Sequence, residues 1–121
     1  MTGHKNQSFP RRLRFALAGL AHALRSEQSV RVQIVVFILV MAAMLWLRPG
    51  ALWWALVILA SAAVCATELL NTAIEHLADH LHPDVHPQIR VVKDCAAAAV
   101  LVAVLGAMGV GAALAVSLII K

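Results

Sequence analysis

The stretch ALWWALVILASAAVCATELLNTAIEHLAD, residues 51–79, decides what kind of molecule this is. Its first seventeen residues, Ala51 to Thr67, carry no charge. Its last twelve place Glu68, Asn71, Glu75 and Asp79 at spacings of three, four and four. Those intervals put the four side chains on one face of a helix. At a rise of about 1.5 Å per residue, Glu68 and Glu75 stand about 10 Å apart along the axis. A carboxylate beside the hydrocarbon layer is costly, so three on one stripe need water, a metal or a partner. Two readings are open from spacing alone: a helix leaving the membrane with a wetted face, or a site.

Composition supports the membrane. Of 121 residues, 62% are hydrophobic and 13% charged, where soluble domains run near 45–50% and about 25%. Mean hydropathy is +0.85. The net charge of +4 does not indicate nucleic acid, because six of the ten basic residues precede the first apolar span. These are Lys5, Arg11, Arg12, Arg14, Arg25 and Arg31. That bias fits a cytoplasmic N-terminus facing anionic lipid headgroups. Cys65 and Cys95 lie in or beside apolar spans and read as small core residues rather than as a disulfide or metal pair. No cleavable leader is expected, since the start is polar and the first apolar run begins near Val32.

Read in order, residues 1–8 are polar and expected to be flexible. Residues 9–27 are amphipathic, with Leu13, Leu17, Leu20 and Leu24 on one side and Arg11, Arg14, His22 and Arg25 on the other. This is the pattern of a helix lying in the membrane interface. If that helix ran on unbroken, Glu27 would project near the leucine side. Residues 29–47 form the first membrane helix, followed by a tight turn at Arg48-Pro49-Gly50 with Trp46, Trp53 and Trp54 around it. The next helix must run back antiparallel over 51–79, bringing the acidic stripe to the cytoplasmic side. His80 to Arg90, with two prolines, reads as a loop. Residues 94–120 form the third membrane helix, with Asp94 expected in its first turn, complementing the helix dipole. The fold class is therefore an all-α membrane protein, one unit of an interfacial helix and three transmembrane helices. So little protein surface is available to cover Glu68 and Asn71 that protomers are expected to associate around them.

The cytoplasmic rim gathers Glu27, Glu68, Asn71, Glu75, Asp79, Asp84, Lys93 and Asp94. Magnesium is usually held by one or two carboxylates plus substrate phosphates, and lysine serves phosphate as a point charge. Phosphoryl transfer asks for little more than these and a base for the acceptor hydroxyl. His76, His80, His82 and His86 form a second constellation that could ligate zinc, which would suit a small metal-binding or transport protein. Walker A, HRD, DFG and GxSxG motifs are absent.

The run Glu68-Leu-Leu-Asn71-Thr-Ala-Ile-Glu75, then Asp79, Pro83-Asp84-Val85-His86-Pro87 and Lys93-Asp94, resembles the prokaryotic diacylglycerol kinase family of integral membrane lipid kinases. Phe15-Ala16, Gly19, Ala23, Glu27 and Arg31 fit as well. The resemblance covers about residues 9 to 121. It implies a homotrimer with composite sites at subunit interfaces, in the bacterial inner membrane. It implies transfer of the γ-phosphate of MgATP to a lipid hydroxyl, diacylglycerol or, in related members, undecaprenol. Carried over by residue, Glu68 matches the general base, and Glu27 and Glu75 the carboxylates that hold magnesium on the nucleotide. Lys93, Asp94, Asp84, Val85, His86 and Phe15 match nucleotide-contacting positions. Asn71 stands beside the base in an orienting position, and Ala97 at an acceptor-contacting one. Val85 stands where tyrosine is common and Ala97 where some members carry serine, so stacking and a hydroxyl contact are lost there.

Overall fold

A computed structural model describes residues 6–120. The expected flexibility of residues 1–8 and the placement of Lys5 and Lys121 fall wholly or largely outside the described residues. Four helices follow one another: α1 (Phe9–Ser26), α2 (Gln28–Leu47), α3 (Ala51–Leu81) and α4 (Pro87–Ile120). There is no strand among the described residues. The last three helices are each long and apolar enough to cross a membrane.

The junctions show why the chain divides where it does. Pro10 sits in the first turn of α1, where its missing N–H is no loss. α1 does not run on through Glu27 as a continuous helix would. Glu27 alone adopts extended backbone, φ −115° and ψ 115°, and serves as the C-cap of α1 and the N-cap of α2. Arg31, in the first turns of α2, reaches back with Nη1 to the carbonyls of Leu24 (3.0 Å) and Arg25 (2.9 Å). A cation thus closes the negative end of α1. Arg48 ends α2 in the left-handed conformation at φ 53°, and Gly50 caps α3. Trp53 and Trp54 donate their backbone N–H groups to the Gly50 carbonyl. This is the tight antiparallel turn expected from Arg48-Pro49-Gly50.

The loop between the last two helices is shorter than its two prolines suggest. α3 continues to Leu81, and α4 begins at Pro87. Pro83 lies in the break, and Pro87 is the first residue of a helix, the one helical position where proline costs nothing. As a result Lys93 and Asp94 lie nearly two turns inside α4. The expected dipole role of Asp94 is corrected, since the first turn of α4 holds no acidic residue.

α3 packs most extensively on α4 and less on α2, while α1 lies across α2 and α3. The backbones of α2 and α4 do not meet among the described residues. Met44, Val57 and Leu114 form a buried cluster at the end away from the acidic stripe, flanked by Val40, Met41, Trp53, Trp54, Val110 and Leu118. Trp46 points outward and is 84% exposed. Most other large apolar side chains on α2 and α4 also face outward, as lipid-facing helices require. Cys65 and Cys95 are unpaired thiols.

Met44 is the largest fully buried side chain. Met44→Ala should lower the thermal unfolding temperature in detergent, at a cost on the order of 2–5 kcal/mol. Trp46→Ala removes a larger side chain from the outside of the same turn and should unfold near the wild-type temperature.

Candidate active site

Exposure along the acidic stripe rises with distance from the apolar span. Glu68 is 7% exposed, Asn71 and Glu75 are half-buried, and Asp79 is exposed. A wetted face would be open throughout, so its first member is not a solvated residue. Glu68 continues the buried edge of α3 formed by Val57 and Val64, with Thr72 buried one turn beyond. It is the eighteenth residue of α3, about 26 Å from Ala51 at about 1.5 Å per residue, close to the thickness of a hydrocarbon core. Asn71 Nδ2 donates to Glu75 Oε1 over 3.5 Å, so its orienting contact runs to Glu75 rather than to the base position. Asn71 Oδ1 is buried and has no hydrogen-bond partner among the described residues.

Below Glu68 lies an apolar groove of about 490 Å³ between α2, α3 and α4. Gln33, Ser61 and Cys65 are its polar lining, among residues such as Phe37, Val64 and Leu114. It exists because α2 and α4 both lean on α3 and not on each other. Its Cys65 end is less than one turn from Glu68.

Glu27 reaches this region from the α1–α2 junction. Its Oε1 lies 2.9 Å from His76 Nε2 on α3. Since His76 follows Glu75 directly, Glu27 is drawn against the turn that carries Glu75. His22 of α1 meets the His76 ring edge-on, with centroids 6.1 Å apart and planes at 88°. The sequence does not announce His76 as the partner of Glu27, because 49 residues separate the two. Thr72 is likewise unannounced, since a threonine inside an apolar helix carries no marked signal.

At the outer end of the stripe, Lys93 Nζ of α4 pairs with Asp79 Oδ1. Asp79, which has no role by resemblance, is thus the counter-ion of Lys93. The break between α3 and α4 brings Asp84, Val85 and His86 to the same end. His82 Nδ1 lies 3.3 Å from the Asp84 carbonyl, and His86 Nδ1 accepts the Gln88 N–H at 3.1 Å. Val85 is 94% exposed. Asp94 and Ala97 are exposed on α4, and Phe15 lies on α1 beside Phe9, Arg12 and Leu13. The structure therefore brings Glu27 to the Glu75 turn and Lys93 to Asp79, but leaves Phe15, Asp94 and Ala97 on surfaces of the single protomer.

Among the described residues, no three His, Cys, Asp or Glu side chains are arranged to hold a metal ion. The histidines serve other contacts: His76 meets Glu27 and His22, while His82 stacks obliquely on His86 at 5.0 Å. A zinc site built from His76, His80 and His82 is not present in this arrangement. Magnesium makes a smaller demand, one or two carboxylates with phosphate and water completing its shell, and Glu27 beside the Glu75 turn fits that demand.

The chain is 35% identical over 102 residues to a diacylglycerol kinase of Synechocystis sp., across 84% of this chain and 58% of that relative. It thus spans less than two thirds of the relative's length. Residues 14–115 match the family model of prokaryotic diacylglycerol kinase, a range that contains every stripe, junction and loop residue described above. On that match the chain belongs to the prokaryotic diacylglycerol kinase family.

Proposed function

We propose that this protein is an ATP-dependent lipid kinase that transfers the γ-phosphate of MgATP to the hydroxyl of 1,2-diacylglycerol, giving phosphatidate. The observation that carries the reading is a buried carboxylate, Glu68, at the head of an apolar groove and the foot of a polar stripe. A lipid acceptor carries its hydroxyl at the membrane interface with its tails in hydrocarbon. Tails in the groove set that hydroxyl at the depth of Glu68. Nucleotide arrives from water, at the Asp79 and Lys93 end. The family membership and the name of the Synechocystis relative support the same class of reaction.

In this reading Glu68 takes the acceptor's hydroxyl proton as the oxygen attacks the γ-phosphorus. The bond to the β,γ-bridging oxygen breaks, and ADP departs with that electron pair. Asn71 is assigned an orienting role by family likeness, with its Nδ2 turned to Glu75 Oε1. Glu27 and Glu75 are the residues that would hold magnesium, which neutralises phosphate charge when bound. Lys93 binds phosphate as a point charge. Its partner Asp79 is exposed, and an exposed pair contributes little, so a phosphate can replace that carboxylate. Asp84, Val85, His86, Asp94 and Phe15 are assigned to the nucleotide by family likeness, and Ala97 to the acceptor. Asp94, Ala97 and Phe15 are exposed on one protomer, in keeping with a homotrimer whose neighbouring subunit completes the site. The active site and N-terminus are assigned to the cytoplasm by the basic N-terminal segment.

Glu68→Gln keeps the size of the side chain and removes the base. It should lower kcat by about 10²-fold or more while the KM for MgATP stays within about threefold. Steady-state lipid phosphorylation with labelled ATP measures both, and an unchanged kcat would remove Glu68 from its role. Offered diacylglycerol and undecaprenol in separate mixed micelles, the protein should phosphorylate diacylglycerol faster. A preference for undecaprenol would move the assignment to undecaprenol kinase. His80→Ala and His82→Ala should retain activity, whereas a histidine metal carrier would lose its function with them.

A further inference from the structure

Glu27 occupies an unusual position for a residue that must point accurately. It lies in neither α1 nor α2, and its extended backbone takes no part in either helical ladder beyond the caps. No helix sets its direction. Its carboxylate is instead held from outside: Oε1 by His76 Nε2 at 2.9 Å, with the His76 ring braced edge-on by His22. Three segments meet at this point, α1 through His22, the junction through Glu27 and α3 through His76. The other carboxylate oxygen, Oε2, has no hydrogen-bond partner among the described residues and is free for a ligand.

We propose that His76 is a positioning residue, which fixes the Glu27 carboxylate in place for a nucleotide-bound divalent cation. This rests on the lipid-kinase reading above. The energetics favour a geometric role over a stabilising one. The side chain of His76 is 51% exposed and that of Glu27 27%, and ion pairs this open contribute little to stability. A contact that hardly stabilises the fold can still matter to a site, because an ångström of misplacement costs far more in a preorganised centre than in a helix packing. Partners behind a metal's own ligands typically change metal affinity by about 10–100-fold when lost.

The test uses the full chain purified in detergent, with His76→Leu and His76→Gln. Glutamine can present an amide N–H at similar reach, whereas leucine keeps bulk without a donor. Three quantities are read: the Mg²⁺ concentration for half-maximal lipid phosphorylation at saturating ATP, the retention of Mn²⁺ with ADP by electron paramagnetic resonance, and the unfolding temperature of the nucleotide-free protein. For His76→Leu the Mg²⁺ requirement should rise about tenfold or more, Mn²⁺ retention should fall by a similar factor, and kcat should fall much less. His76→Gln should recover most of both metal readouts. Metal readouts equal to wild type in His76→Leu, or a lowered unfolding temperature alone, would overturn the proposal. So would a defect that glutamine does not relieve. If the wild type phosphorylates neither lipid, the kinase reading fails, and Mn²⁺ retention still decides for or against His76.

Discussion

A buried carboxylate at the end of an apolar span is held at one depth, between oil and water, and Glu68 sits there. Moved one turn toward Ala51, it would be surrounded by hydrocarbon with nothing to compensate its charge. Moved one turn toward Asp79, it would lie in the more open part of the stripe. The remainder of the chain answers to that depth. Seventeen uncharged residues precede Glu68, and α3 runs on to Leu81 rather than stopping at the membrane border. Neighbouring segments then have a rigid rod in the aqueous layer on which to dock.

What docks there divides the labour. Glu68 is buried just beyond the Cys65 end of an apolar groove, and two separate segments arrive at the outer part of α3, Glu27 from the N-terminal junction at His76 and Lys93 from α4 at Asp79. The first brings an acidic group to an acidic helix and is received there by an imidazole, His76. The second brings a cation to the outermost carboxylate. Negative charge is therefore concentrated toward the membrane and compensated toward water, a distribution that suits a metal-bearing polyanion arriving from the solvent side.

Much of this was legible in the sequence, for identifiable reasons. Uncharged runs of membrane length mark helices without help from tertiary structure, and Arg48-Pro49-Gly50 contains its own turn chemistry. The stripe could be seen because i, i+3 and i+7 spacing is a property of one helix. The errors also have causes. Proline was weighed as a breaker throughout His80 to Arg90, although Pro87 begins a helix, and this displaced the start of α4 by seven residues. No glycine or proline announces the break at Glu27, which arises from the docking of α1 across α2 and α3. The Glu27–His76 contact belongs to the tertiary fold alone. A histidine on the polar end of a helix carries no mark of what will be folded against it, and so it was read as a potential zinc ligand.

The turn at Arg48 to Gly50 has a mechanical consequence. α2 and α3 are bound together at that end by a two-sided cap and by the Met44, Val57 and Leu114 cluster. At the opposite end α2 is joined to α3 chiefly through the short lever of Glu27 and α1. The pair resembles a tuning fork, stiff at the stem and compliant at the tips. Among the described residues the backbone of α2 does not rest on α4, so α4 adds no backbone brace to that tine. A two-tailed molecule could then slide sideways out of the bilayer and between the tines, with no need to leave the oil on its way to Glu68.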